Sequence, residues 1–432
     1  MPARLLPGIC GQHVAVKKAG VYPHWMATSS DSSSALTAVP WRVQAAVYGT
    51  GLFANSSLQL YNVVVPLWLV LLNPSPFMIG VALGARQVLP MLLSIHGGAM
   101  MDRLGARRVT LWLAAMSVCI PMLYPVLPWI PAVVILQMLG GFTVMMCWVG
   151  VQSFVGHAMR GQPVYAGRLT MSTRLGVFVG PLAVGAIWDL AGSWGAFGFM
   201  TFWAVGMFVA ALCLPPGESV QDDAAGARPR RTGFGGLLPD WRDYIAAFSL
   251  LAVPTIALVM GVTFMRHAGT GIQGSFYVVY LDSIGIRGTA IGMLFSMIGI
   301  CGMAGSLCVG FLTRYIAART LLMATVVLSV VAVMIAPLLA TFLMLAVAIG
   351  LRGMSTGIAQ SMEIALTSQG AGAGAQGRAV ALRLTIGRIA AVIVPVLMGG
   401  AVELFGLEPA FYIVGGVIIA GIFLLAILLP SD

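Results

Sequence analysis

The sequence predicts an all-α membrane protein of twelve transmembrane helices, arranged as two pseudo-symmetric bundles of six. Three observations predict it. Twelve long apolar stretches fall into two groups of six, split by one polar segment from about Pro215 to Asp243. Hydrophobic residues make up 59% of the chain and charged residues only 8%, where soluble domains carry roughly 25% charge. The basic residues also sort to one side of a twelve-span topology. A run of roughly 20 apolar residues is long enough to cross the roughly 30 Å hydrocarbon layer as a helix.

Residues 1–41 precede the first span. They are mixed and polar, without the continuous apolar run of a signal peptide, and Ser29 to Ser34 read as disordered. This segment is expected to be cytoplasmic, with Met26 as a candidate start of translation. Spans are expected at 42–72, 76–100, 109–126, 130–157, 167–190 and 193–214, forming an N-terminal bundle over 42–214. A cytoplasmic linker follows at 215–243. The second set, 244–282, 289–312, 320–337, 340–363, 376–404 and 409–430, forms a C-terminal bundle over 244–430. The seventh stretch is too long for one straight crossing, since at 1.5 Å per residue it would reach roughly 58 Å. Dividing it into two spans would invert everything after it. Arg314, Arg319, Arg378, Arg383 and Arg388 would then face outward, against the positive-inside rule. One helix interrupted near Gly269-Thr270-Gly271 satisfies the rule.

A net charge of +10 raises the question of a nucleic-acid partner. The distribution of the charge answers it. With both termini inside, Arg103, Arg107, Arg108, Arg160, Arg168, Arg174, Arg228, Arg230, Arg231, Arg314, Arg319, Arg378, Arg383 and Arg388 all fall on the inner side. Arg287 alone lies outside, and Arg86, Arg266 and Arg352 fall within spans. The charge is a topology signal, and no nucleic acid is expected. The six cysteines form no CxxC pair and have no histidine at metal spacing. All but Cys10 sit in apolar segments and are expected to be packed in the interior.

The two halves repeat. Gly80/Gly292, Gly98/Gly310 and Arg107/Arg319 share one offset. Arg174/Arg388, Pro181/Pro395, Gly185/Gly399, Asp189/Glu403 and Gly192/Gly406 share another, two residues longer. Two six-helix halves point to a duplicated transporter with its substrate site between them at mid-membrane.

The loop between spans 2 and 3 reads Gly-Ala-Met-Met-Asp-Arg-Leu-Gly-Ala-Arg-Arg from Gly98 to Arg108. It resembles motif A of the major facilitator superfamily, Gly-x-x-x-Asp-Arg-x-Gly-x-Arg-Arg, in the same loop. The resemblance extends over about residues 42–430. Gly98 would allow close helix approach, and Gly105 supplies a tight turn. The resemblance implies that Asp102 faces the N-terminus of span 11, where the helix dipole favours negative charge. It also implies that Arg103, Arg107 and Arg108 lock the cytoplasmic side. Span 5 carries Gly176-x-x-x-Gly180-Pro181-x-x-x-Gly185, which resembles motif C of the antiporters, with Val184 in place of the first of its two final glycines. Small residues there permit close packing and Pro181 can kink the helix. Motif C implies export. The motif B arginine of span 4 is replaced by Gln137, and span 1 carries no acid. Both departures argue against a standard proton-coupled drug pump.

In this fold spans 1, 4, 7 and 10 line the central cavity. Span 1 offers Asn55, Gln59 and Asn62 at i, i+4, i+7. Span 7 aligns Arg266, Thr270, Gln273, Tyr277 and Tyr280 within roughly 40° of one line. Span 10 carries Arg352, Thr356 and Glu363, and span 4 offers Met145, Trp148 and Gln152. Arg86, Arg266 and Arg352 sit near mid-membrane, where a charge costs roughly 2.5–3.5 kcal/mol on insertion scales. Glu363 is the one acid well placed within a span, so at most one of these arginines can pair with it. The others need carbonyls, water or an anionic ligand. Histidine is the side chain whose ordinary pKa lies near neutrality, so His267 joins Glu363 as a candidate proton carrier.

The sequence therefore points to a secondary transporter of the inner membrane, working by alternating access and expected to act as a monomer in the lipid bilayer. Its cargo is expected to be a small organic solute, anionic or amphipathic, exported with ion coupling. Proton-coupled uptake of an organic anion is the alternative, and a transporter-like solute sensor is the alternative of another class. No nucleotide motif, nucleophile–base pair or cofactor signature is present, so neither an enzyme nor a cofactor is expected.

Overall fold

A computed structural model describes residues 39–157, 159, 163–215, 248–371 and 376–428. The expectations for residues 1–38, including Met26, and for most of the linker lie outside the described residues. Everything below concerns the unit Pro40–Asp432.

Hydrocarbon offers no hydrogen bonds, so every apolar stretch must satisfy its backbone internally, and it does so as helix. Hydroxyls inside the spans follow the same rule. Thr50, Ser57, Ser117 and Thr325 each donate to the carbonyl four residues back, at 2.7–3.0 Å. Span 1 is Trp41–Leu72, span 3 Ala106–Val126, span 4 Ile130–His157, span 8 Gly288–Leu312 and span 9 Ala318–Met334. Spans 10, 11 and 12 are Phe342–Ala371, Gln376–Phe405 and Leu407–Leu428. Span 10 thus runs two turns past its expected end, which places Glu363 well inside the helix. Among the described residues there is no strand.

The helical trace departs from straight helix in three places. Span 2 is two helices, Pro76–Ala85 and Val88–Leu104. Pro90 has no N–H for the carbonyl of Arg86 and its ring crowds that carbonyl. The freed Arg86 oxygen lies against the backbone of Gly141, where a Cβ would overlap it. Spans 5 and 6 form one continuous helical trace, Pro163–Leu212, interrupted at Gly192, whose φ of 62° breaks the helix. The chain reverses there. Gly180 of span 5 packs on Leu60 and Ser56, and Trp203 of span 6 donates to the same Ser56 hydroxyl at 2.8 Å. Span 7 was expected to break near Gly269–Gly271. The helix instead runs unbroken from Pro254 to Ile272, then widens into a π-turn at Gln273–Tyr277 before finishing as Val278–Ser283. Nine of the described helices are long and apolar enough to span a membrane. Allowing for the reversal at Gly192, the shorter Ala318–Met334 and the divided seventh segment, the helices accommodate twelve crossings.

The cysteine expectation needs correction. Cys147 is buried, but Cys119 is exposed on span 3 and Cys213 just past the end of span 6. In an apolar span an exposed face meets lipid, so a soft apolar side chain is no less at home there than in the core.

Candidate substrate pathway

The two bundles meet along two faces related by the sequence repeat. Spans 5 and 8 touch where Gly185 lies against the backbone oxygen of Gly288 and Gly292 against that of Pro181. Ser296 adds a 2.6 Å hydrogen bond to the Phe178 carbonyl. Spans 2 and 11 touch at the equivalent positions, Gly399 against Pro76 and Gly80 against Pro395. The antiporter-like motif of span 5 is therefore divided. Gly176 and Gly180 pack on span 1 of their own bundle, while Pro181 and Gly185 face the other bundle. The contacts between the bundles lie in the halves of these spans nearer Gly192. There Asp189, at the end of span 5, accepts from the backbone N–H groups of Gly288 and Thr289 at 2.8 and 2.7 Å and from the Thr289 hydroxyl at 2.6 Å. Glu403, its repeat partner, accepts from Phe77 N–H at 3.0 Å. A surface cleft of about 440 Å³, lined in part by Asp189, Arg287 and Thr289, opens beside the first of these.

At the opposite side, Gly98, Asp102 and Arg103 lie in the last turns of span 2, and Gly105 makes the turn with φ 87°. Arg107 donates to the Leu212 carbonyl at 3.0 Å, closing the last turn of span 6 within its own bundle. Its repeat partner Arg319 donates to Ala426 at the end of span 12, at 3.1 Å. A cation there meets the negative end of a helix. Arg108 is exposed on the first turn of span 3.

Between these ends the charged residues form two tiers in the C-terminal bundle. In one, Arg266 grips Glu363 through both oxygens, at 2.7 and 3.0 Å. Arg383 of span 11 approaches the same carboxylate at 3.7 Å, and Glu363 has no solvent exposure. His267 Nδ1 lies 2.9 Å from the Thr263 carbonyl. A carbonyl can only accept, so Nδ1 carries the hydrogen. In the other tier Arg352, 1% exposed, donates from Nε to Gln273 at 2.5 Å. Its Nη1 donates to the carbonyl and hydroxyl of Ser329, at 2.9 and 2.7 Å. Thr356 bonds back to the Arg352 carbonyl and sits 3.2 Å from the Ser329 hydroxyl. The buried Tyr277 hydroxyl has no hydrogen-bond partner.

The N-terminal bundle supplies a third cation. Arg86 donates to Asn62 at 2.5 Å and to the Leu58 carbonyl at 3.4 Å, while its buried Nε is unpartnered. Asn62 in turn donates to Gln59, and its amide lies 3.2 Å from where a Cβ of Gly274 would stand. The π-turn of span 7 thus touches the polar stripe of span 1 at that point. Asn55, Gln59 and Trp148 are half-buried and Gln152 is exposed. Among the described residues, neither Arg86 nor Arg352 has a carboxylate at ion-pair distance.

The structure thus brings together Arg86 with Asn62 and Gln59, Arg352 with Gln273 and Thr356, and Arg266 with His267 and Glu363. Sequence reasoning did not single out Ser329 or Arg383 for this site. Ser329 lies on span 9, outside the expected lining helices. Arg383 carried only a topology signal.

The profile of the Major Facilitator Superfamily matches residues 47–265 and, a second time, residues 259–432. The chain belongs to that superfamily. The first match runs through the six N-terminal spans and into span 7, and the second runs from span 7 onward. Among solved structures, a variant of the nucleoside transporter NupG superimposes with a TM-score of 0.73 at 14% identity, covering 90% of this chain and 100% of that one. A bacterial homologue of the human lysosomal transporter Spinster, inward-facing and unoccupied, gives 0.65 at 14% identity, covering 90% and 96%. A bacterial metal transporter gives 0.62 at 13%, covering 90% and 97%. At such identities these likenesses establish the fold. No protein of curated function matches the sequence. As a superfamily member the chain is a multi-pass membrane transporter.

Proposed function

We propose that this transporter carries a small organic solute bearing negative charge or strong hydrogen-bond acceptors, by alternating access at a site between the bundles. One observation carries the reading: among the described residues, the buried Arg352 and the half-buried Arg86 are held within their spans by neutral acceptors alone. A buried cation without a counter-ion is costly, and an anionic solute relieves that cost whenever it is bound. The proposed contacts are Arg86, Asn62, Gln59 and Asn55 from one bundle and Arg352, Gln273, Tyr277 and Thr356 from the other, with Trp148 and Gln152 along the wall. Arg266 belongs more to the Glu363 pair than to the solute.

The proposed setting is an inner membrane with both termini cytoplasmic, so that the Gly192 end faces outward. The motif of span 5 supports export. Proton-coupled uptake of an organic anion is the second reading, supported by the same arginines and by Glu363 and His267 as proton carriers. Counterflow in proteoliposomes, run against organic anions and drug-like cations, tests the proposal. Exchange of anions supports it, and a cargo restricted to permanent cations overturns it.

A further inference from the structure

We propose that Asp189 and Glu403 are paired gate latches for transport, each holding the positive end of a helix in the opposite bundle while the Gly192 side is closed. The inference extends the alternating-access reading and does not depend on the identity of the solute.

Span 8 begins after Arg287, whose side chain caps nothing. Its first N–H groups lack an acceptor from their own chain segment, and such orphan groups, with the helix dipole, attract a carboxylate. Asp189 reaches across from span 5 and takes two of them plus the Thr289 hydroxyl. Span 2 begins at the equivalent position beneath Glu403 of span 11, although its own Ser75 hydroxyl already accepts from Met78 N–H at 3.4 Å. Here Pro76 stands where span 8 has Gly288. A proline has no N–H to give, so Glu403 receives only the Phe77 bond. The repeat supplies the same device twice, and the sequence of span 2 weakens one copy.

Both caps join helices of different bundles, so both must break whenever the bundles part at this side. Asp189 and Glu403 are both exposed, and a cleft lies beside Asp189. Water can therefore take over the released carboxylates and helix ends, which keeps the latch reversible. The caps that Arg107 and Arg319 make at the other side lie within single bundles and are untouched by the rocking.

Distances between spin labels read the gate without any solute. Trp129 and Leu338, 56% and 69% exposed, stand at the Gly192 side of the two bundles. Leu104 and Tyr315, 56% and 75% exposed, stand at the opposite side. Each pair is replaced by cysteine in a chain whose native cysteines are removed. Double electron–electron resonance is then recorded in nanodiscs for the parent, Asp189→Asn, Glu403→Gln and the double variant. Loss of one charge–dipole cap should raise the open-to-closed ratio at the Gly192 side roughly five-fold, more for Asp189→Asn than for Glu403→Gln and most for the double variant. The opposite pair should move closer in the same samples, and Asp189→Glu should restore part of the parental distribution. Unchanged distances in the double variant overturn the latch. Broadening at both sides without opposite movement also overturns it, because that is loosening of the fold rather than gating. The anion reading is decided separately, by counterflow.

Discussion

Arg266 on span 7 and Glu363 on span 10 close a two-pronged ion pair where the carboxylate has no contact with solvent. Breaking such a pair from one side costs roughly 3–5 kcal/mol, because the partner charge stays buried alone. Glu363→Gln should lower the thermal unfolding temperature in detergent markedly. The double variant Arg266→Gln/Glu363→Gln should melt higher than Glu363→Gln. A single variant as stable as the parent would show that the pair contributes nothing.

The same pair bears on coupling. Under the proposed proton-coupled reading, a Glu363 that carries a proton would have to part from Arg266, which would tie the proton to a rearrangement of spans 7 and 10. Glu363→Gln should abolish accumulation against a gradient while counterflow remains measurable, and His267→Gln should do so less completely. Driven uptake and counterflow in the same vesicles, at imposed pH gradients, provide the comparison. Accumulation by both single variants and by the double variant would place the proton elsewhere.

Arg352 should be the more sensitive contact for solute. Its Nε and Nη1 are already aimed by Gln273 and Ser329. Arg352→Gln should weaken binding of the transported anion by roughly 1.5–3 kcal/mol, the scale of a charged hydrogen bond. Arg352→Lys should not fully restore it, since lysine lacks the planar fork. Equilibrium binding of the solute found by counterflow measures both.

Two sets of glycines should behave differently. A Cβ at Gly292 would overlap the Pro181 backbone across the bundles, whereas one at Gly357 would overlap Gly302 within the C-terminal bundle. Overpacking costs roughly 1–3 kcal/mol at either place. Gly292→Ala should charge that cost to the closed Gly192 side alone, shifting the spin-label distances there with little change in melting. Gly357→Ala should lower the melting temperature. Equal melting losses in the two variants would contradict the division.

Asp102 carries a prediction from its place in the superfamily motif. Asp102→Asn should express near normally and transport poorly, because the motif resemblance implies a charge–dipole contact with the N-terminus of span 11 that the amide would lose. Transport at the parental rate in proteoliposomes would remove that role.

The sequence by itself determined the membrane, the two bundles and the family. Each rests on quantities additive along the chain: apolar length against hydrocarbon thickness, the sidedness of arginine, and motifs in short contiguous runs. Pro181/Pro395 and Asp189/Glu403 were legible as a repeat for the same reason. Partner choice was not legible. Span 7 presents Arg266 and Gln273 on one stripe, yet Arg266 turns to Glu363 and Gln273 to Arg352, because span 10 offers its acid and its arginine three turns apart. The break of span 7 also moved from its glycines to Gln273–Tyr277. A glycine only permits a break, while the widened turn falls where the span packs against Asn62. Arg107 likewise reads as part of a lock, but its acceptor is the end of span 6, far away in sequence. Such pairings depend on how helices rotate and stack, and only the tertiary structure fixes that.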